Sequence, residues 1–570
     1  MRLFKTTLRA ALLAAATALA ACQTLQGAPA DEAPPRGGIV APPFAGPPMS
    51  PMALAEHIQI LSSDAFAGRE PASPGEKLTL DYLSQVFARA GLEPGWNGGW
   101  LQPVPLTEAM VVGAPTLKIT GADGSRDYAY GGQHVVFSKR TALRQTLVDA
   151  PLVFVGYGVV APELGWNDYA DVDVRGKIAV ILINDPDIET PADHPTTGKF
   201  GGKAMTYYGR WTYKFEEAGR QGAAGALIIH ETGPAAYPWA VVQSSWTGPQ
   251  FDTMRVDAGA SRAQIEGWIE NAAAVEIMTR SGQDFAKLKA AAQLPGFKAV
   301  PLTVTGSIDL TMDVRNSVSH NVVGLLRGRA APEETVLYGA HWDHLGQCEP
   351  IDGDSICNGA LDNATGVAGL IELARRFAGD GRPRRSALFV AFTAEEQGLL
   401  GSAYYAQNPA FPANRTVMAV NMDGASVYGP TRDVTVVGYG KSEIEATLKR
   451  FAADQGRVVR AEEFPERGSF YRSDHFNLAK VGIPVIYAAG GFDLATGGVT
   501  RGRELSNEYI AKRYHKPQDH YDPSWDLAGQ SQDLQLLYNV GRSYADSEEW
   551  PQWLEGTEFR AIREQSLTAR

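Results

Sequence analysis

Cysteine is nearly absent. Three residues in 570 cannot staple a fold together, and a chain of this length buries enough apolar surface to do without staples. Runs of positive charge are missing too. With 52 Lys and Arg against 64 Asp and Glu, the formal charge is −12, which excludes a surface that tracks a phosphate backbone and, with it, nucleic acid as a partner. Neither an H-E-x-x-H pair nor a G-x-S-x-G elbow occurs, so the hydrolase classes built on those motifs drop out. There is no internal repeat and no heptad pattern. What remains is 44% hydrophobic and 20% charged, with 60 Gly and 35 Pro. That is the composition of a globular protein of about three or four domain equivalents, not of a disordered or collagenous chain.

The first residues carry Arg2, Lys5 and Arg9, then an apolar run from Ala10 to Ala21 that ends in Leu19-Ala20-Ala21-Cys22. The run is too short for an ordinary membrane span. It resembles a bacterial lipoprotein signal peptide. The resemblance implies removal of residues 1–21 and a lipid on Cys22, with Gln23 lacking the aspartate that commonly retains such proteins on the inner membrane. The expected location is the periplasmic face of the cell envelope, at the outer membrane. The plainer alternative is an ordinary signal peptide cut just before Cys22. Export places Cys348 and Cys357 in an oxidising compartment, where they can close a small loop as a disulfide.

Residues 22–51 are rich in Pro, Ala and Gly and read as a flexible tether. From Met52 to Gly91 apolar residues recur at helical spacing, in Leu54, Ile58 and Leu61 and again in Leu78, Leu83, Val86 and Phe87, predicting two helices about the polar Gly68-Arg69-Glu70 turn. Arg69 and Glu70 are expected to tie these helices together. Short strands follow to residue 145, and this stretch, 52–145, is assigned to the main domain. Residues 146–305 read as a self-contained, mainly β or α+β insert with strands such as Ile178–Ile183 and Ala226–Ile229. Its Gly156-Tyr-Gly158 matches a dinucleotide fingerprint formally, but Pro162, Gly165 and Trp166 stand where the phosphate-binding helix should start, and the match is rejected. Residues 306–570 alternate strands with helices, the pattern of an α/β domain with a mostly parallel central sheet flanked by helices. The polar, Trp-bearing tail after Ser547 has no functional reading.

Within that last segment, strand after strand delivers a potential metal ligand at its carboxyl end. Thr335–Ala340 runs into His341-Trp-Asp343-His344, Ser386–Phe392 into Glu395-Glu396, and Thr416–Val420 into Asn421-Met-Asp423. Open α/β sheets bind ligands at those ends. The loop Asn358-Gly-Ala-Leu-Asp362-Asn363 and the late Tyr514-His515 complete the set. Imidazole and carboxylate suit zinc, and two histidines with four acids fit a pair of ions sharing one bridging carboxylate. Neighbouring Glu395 and Glu396 point in different directions, so one can bind metal while the other takes a proton from a metal-bound water. Asp343 is placed to accept the second N–H of His341 and fix its tautomer.

This series resembles the co-catalytic zinc aminopeptidase family, which includes bacterial leucyl aminopeptidase and aminopeptidase Y, with glutamate carboxypeptidase II and transferrin receptor as relatives. The insert resembles the protease-associated domain of several of them, on its strand runs and the Gly-rich stretch from Ala218 to Ala226. The resemblance implies the zinc exopeptidase fold and two Zn2+ per chain. Asp362 becomes the bridging ligand, His341 and Asp423 complete one ion's shell, Glu396 and His515 the other's, and Glu395 is the general base. It puts Tyr514 near the oxyanion and Arg472, Ser473 and Asp474 among substrate contacts. The expected activity is removal of N-terminal residues from peptides. A carboxypeptidase or dipeptidase, a glutaminyl cyclase and a non-catalytic binding protein remain as alternatives.

For other residues the plain reading is preferred. His344 is expected in a supporting or surface position instead of as a ligand, His520 in a polar turn, and His475 is balanced between cleft and core. The triplets at Asn363 and Asn414 are chance matches to a glycosylation signal in an exported bacterial protein. Side-chain preference and oligomeric state are not legible.

Overall fold

Serine caps set the first helices. Ser50 accepts a hydrogen bond from the Ala53 amide ahead of α1 (Pro51–Leu61), and Ser73 accepts from Gly75 and Glu76 ahead of α2 (Pro74–Arg89). Both helices begin with proline, whose missing N–H is no loss at that position. Their apolar faces, Leu54, Ile58 and Leu61 on α1 and Leu83, Val86 and Phe87 on α2, are buried. These elements belong to a computed structural model that describes residues 39–569, of which Ala41 onward form one unit. The signal segment, Cys22 and the tether as far as residue 38 lie outside the described residues. Among those described, no helix is long and apolar enough to cross a membrane.

The main sheet contains β1 (Leu101–Val111), β2 (Val300–Leu326), β3 (Ala331–His341), β4 (Arg385–Phe392), β5 (Thr416–Asn421), β6 (Asp433–Val436), β7 (Val458–Ala461) and β8 (Val485–Gly490). Their spatial order is β1-β2-β4-β3-β5-β8-β6-β7. The central four, β4, β3, β5 and β8, are parallel. β4 and β5 are buried along their whole length, as strands covered on both faces must be. Helix α3 (Thr365–Gly379) joins β3 to β4 and packs with α4 (Ala528–Asp546) against the sheet, while Leu400–Gln407 and His475–Lys480 pack together and against the sheet. The fold is therefore α/β with helices flanking a mixed sheet whose centre is parallel.

A second sheet branches from the first through β2. Residues 312–322 of this strand pair with β1, whereas residues 300–311 pair with Arg144–Phe154 in the second sheet. There, Ile178–Leu182, Gly225–His230 and Ile265–Glu270 run parallel, and a separate core forms around Phe154, Ile228 and Trp268. Sequence reading begins the insert at 146, yet Leu117–Gly121, Gly124–Tyr128 and His134–Phe137 also pair into this second sheet or its hairpin. Short strands with alternating apolar residues carry no mark of the sheet they will join. After Gly156 and Gly158 comes only a three-residue turn, Pro162–Leu164, with no helix to hold a phosphate.

The tail that had no reading is a clasp. Trp553 is fully buried and donates its indole N–H to Gly482 O at 3.0 Å, and buried Arg563 donates to the carbonyls of Ala413, Thr416 and Val417. It covers the start of β5.

The second sheet also buries His134, whose Nε2 lies 3.3 Å from the Leu117 amide. Burial lowers its pKa from 6.5 to about 4. The unfolded chain thus binds a proton that the folded chain refuses, so stability falls as pH drops below 6.5 and levels off near 4, by about 3 kcal/mol in all. His134→Gln should show a correspondingly shallower loss of urea midpoint between pH 7 and pH 4 than the parent.

Candidate metal centre

β3 lies between β4 and β5, so the chain leaves β3 toward one side and later returns on the other. This reversal opens a crevice at the carboxyl ends of the strands. His341 ends β3, Glu395 and Glu396 follow β4, Asp423 follows β5, and Asp362 sits in the turn Ala360–Ala364 that starts α3. His515 comes from the segment after the helix Gly498–Lys512, with a left-handed φ of 56°.

The five candidate ligands meet in two groups. His341 Nε2 lies 3.3 Å from Asp362 Oδ1 and 3.3 Å from Asp423 Oδ1. His515 Nε2 lies 3.3 Å from Asp362 Oδ2 and 3.2 Å from Glu396 Oε2. Asp362 thus offers one oxygen to each group. Two ligands on a tetrahedral zinc, each about 2.0 to 2.1 Å from the ion, stand about 3.3 to 3.4 Å apart. The donor atoms have the chemistry and the separations of zinc shells.

Glu395 stays apart from both groups of side chains, with Oε2 at 4.0 Å from His341 Nε2. Burial, reinforced by Asp423 and Glu396, pushes its carboxyl well above the usual range. Glu396 is held at about 2, because His515 and His344 outweigh burial and the neighbouring Asp362. Adjacent glutamates driven apart in this way have different tasks.

Asp343 departs from expectation in detail. The second nitrogen of His341 lies 3.2 Å from the Asp343 main-chain carbonyl and 3.8 Å from the carboxylate. The carboxylate instead accepts the amides of Glu395 at 3.1 Å and Glu396 at 3.3 Å, because it is buried behind the turn that carries them. It orients two ligand-bearing loops at once, and burial raises its pKa to about 7.

The substrate candidates divide. Tyr514 stacks on the His515 ring with centroids 3.8 Å apart. Arg472 is exposed, but Ser473 and Asp474 are buried, and the Ser473 hydroxyl accepts from Asn421 Nδ2 at 2.8 Å. Ser473 therefore braces β5 from within, while the buried Asp474 carboxyl lies close enough to His341 and Asp423 to feel their charges, and burial raises its pKa to about 7. His475 is buried between the Phe470 and Tyr487 rings, and burial holds its pKa at about 3. His520 Nε2 lies 3.3 Å from Asp354. Cys348 and Cys357 form a disulfide with Cα atoms 5.9 Å apart. It closes the hairpin Gly346–Ile351 and Asp354–Cys357 against Gly68, where a Cβ would stand 2.6 Å from Gly346 O.

Two supporting residues, Asp519 and Tyr487, escape sequence reading, and a third, Arg69, reaches further than the expected tie between the first two helices. Arg69 is buried, its pKa lowered to about 10 by burial, and donates to the carbonyls of Trp342, Leu61, Asn358 and Gly359 at 2.6 to 2.9 Å. Asp519, inside what reads as a polar turn, accepts the amides of Leu361 and Asp362. Tyr487 donates its hydroxyl to Asp423 O at 2.6 Å. Beside Asp423 opens a cavity of about 360 Å3 walled by Tyr428, Val437, Phe464, Phe492 and Leu494. A second, of about 380 Å3, lies away from the metal ligands and is lined by residues such as Phe200 and Tyr208, by Lys441 and Tyr471 from the loops that follow β6 and β7, and by Glu558 of the tail.

Residues 321–538 match the model of Peptidase family M28. All five candidate ligands and Glu395 fall within the matched residues. The chain is 39% identical over 102 residues to a "Probable zinc metalloprotease" of Pyrenophora teres f. teres (strain 0-1), covering 18% of this chain and 22% of that protein. It is 33% identical over 139 residues to "Aminopeptidase NAALADL1" of Mus musculus, covering 23% and 17%. The chain thus spans about a fifth of the length of these relatives. Among solved structures it is similar to an aminopeptidase from Aneurinibacillus sp. strain AM-1 (20% identity, 87% of this chain, 94% of that one, TM-score 0.46). It is also similar to a zinc aminopeptidase from Bacillus subtilis (17%, 87%, 95%, TM-score 0.40).

Arg69 joins α1, β3 and the Asp362 loop through one guanidinium. Arg69→Met leaves four buried carbonyls without their donor and should lower unfolding free energy by at least about 3 kcal/mol in urea titration. Arg69→Lys should recover only part, since an ammonium cannot fan out to four acceptors.

Proposed function

We propose that this protein is a dinuclear zinc exopeptidase, and specifically an aminopeptidase of the M28 type. The observation that carries the reading is the division of Asp362, whose two oxygens each stand 3.3 Å from an imidazole of a different ligand group, while Glu395 remains unengaged by either. His341 and Asp423 would hold one ion, Glu396 and His515 the other, with Asp362 between. Zinc in such a site acidifies water and draws electron density from a scissile carbonyl.

Glu395 does the proton work. Buried and raised in pKa, it takes the proton of the attacking water and delivers it to the departing amine. Asp343 keeps the two glutamates in register through their amides. Tyr514 on His515 borders the space where the carbonyl oxygen gains charge, and the cavity beside Asp423 accepts the side chain next to the scissile bond. The names of the curated relatives, a zinc metalloprotease and an aminopeptidase, agree with this reading.

Two further parts belong to the proposal. The N-terminal motif supports export and a lipid anchor at Cys22, placing the enzyme on the periplasmic face of the outer membrane. The second sheet is a protease-associated insert. Carboxypeptidase or dipeptidase action, glutaminyl cyclisation and binding without catalysis are the competing outcomes.

Purified mature protein should contain about two zinc per chain and release amino acids from unblocked peptides but not from N-acetylated ones. Glu395→Gln should keep its zinc and lose at least about 100-fold in kcat. Release from N-acetylated peptides would point to a carboxypeptidase, and cyclisation of glutaminyl peptides with one zinc would point to a cyclase. No turnover with metal below one per chain would remove the peptidase reading.

A further inference from the structure

We propose that His344 is a positioning residue that aims Glu396 at the His515 side of the centre, making one of the two metal positions depend on it. The inference rests on the two-ion reading above.

His344 is fully buried, and its Nδ1 lies 2.6 Å from Glu396 Oε1. A carboxylate can only accept, so Nδ1 carries the hydrogen and donates it. Proximity alone would admit His344 as a metal ligand, because ligand atoms of His344, Asp362 and Glu396 lie within 4.8 Å of one another. The separation argues otherwise. The other imidazole–carboxylate pairs stand at 3.2 to 3.3 Å, as atoms sharing a zinc should, whereas 2.6 Å is the length of a charge-assisted hydrogen bond. His344 is therefore a donor to a ligand.

The surroundings hold the ring in that task. Its main-chain amide donates to Arg69 O at 3.3 Å. Gly359, at a left-handed φ of 54°, passes so close that a Cβ there would stand 2.5 Å from the ring Cγ. The other ring nitrogen, Nε2, is buried without a hydrogen-bond partner, so among the described residues Glu396 is the one hydrogen-bond partner of that side chain. An imidazole buried at that expense marks a bond that matters. With Oε1 fixed, Oε2 is left 3.2 Å from His515 Nε2. Without the bond, the flexible glutamate loses that direction. The His341 and Asp423 side makes no hydrogen bond to His344, so only one metal step should respond.

The test is zinc titration of the metal-stripped, full mature chain by calorimetry with a competing chelator. The parent should show two steps. His344→Ala should weaken one step about 10- to 100-fold and leave the other within about twofold. His344→Asn, whose amide nitrogen can stand where Nδ1 stood, should restore most of the loss. Should the alanine variant fail to fold by circular dichroism, His344→Leu, which refills the volume without a donor, takes its place and should behave as alanine was expected to. Unchanged steps in a folded non-donor variant, equal weakening of both steps, or no recovery with asparagine would overturn the assignment. A parent with a single step would instead overturn the two-ion reading, and the two failures are told apart by the parent alone.

Discussion

Four carboxylates and two imidazoles share one buried crevice, and the surrounding structure is arranged around that concentration of charge. Asp362, Glu395, Glu396 and Asp423 would repel one another in a medium that screens poorly. They are held together by hydrogen bonds to their main-chain atoms and by the imidazoles between them. The like charges are separated in role as well: Glu396 is held far below the ordinary carboxylate range and Glu395 far above it. Two neighbouring carboxyls driven in opposite directions are thereby separated in chemistry as well as in orientation.

Keeping such a cluster in place needs rigid loops, and the supports come from distant parts of the chain. Asn363 donates to Met422 O and accepts from Gly424, tying the Asp362 turn to the Asp423 loop. Asp519 holds the same turn from below, and Arg69 reaches across from the α1–α2 connection. Ser473 braces β5 through Asn421, two residues before Asp423. The tail braces the far end of the same strand. Each contact removes a direction in which a ligand could drift, which is how a site stays organised within a fraction of an ångström.

The insert shows how the two sheets are joined. Because β2 belongs to both, the second sheet is attached by a continuous ladder instead of a linker. Tyr207 of the insert packs against Phe476 at 5.0 Å, and Lys480 pairs with Glu216 at 3.0 Å. The insert therefore bears directly on the helix that follows Ser473 and Asp474. Sequence reading finds its strands but sets its beginning late, since Leu117–Gly121 and its neighbours look like any other half-buried strands until their partners are known.

The residues able to bind metal were legible because their chemistry is local: acids and histidines directly after apolar β runs, in a pattern whose strand ends must converge if the sheet is parallel. The α/β class was legible for the same reason, from the alternation of periods. What only the tertiary structure decided is everything that depends on pairing between distant residues. That Arg69 feeds four carbonyls, that Asp519 holds the Asp362 turn, that Ser473 and Asp474 face inward, and that His344 stands at hydrogen-bond length from Glu396 follow from strand order and packing. A sequence records which side chains are available, but the direction of a buried side chain is set by neighbours contributed from elsewhere in the chain.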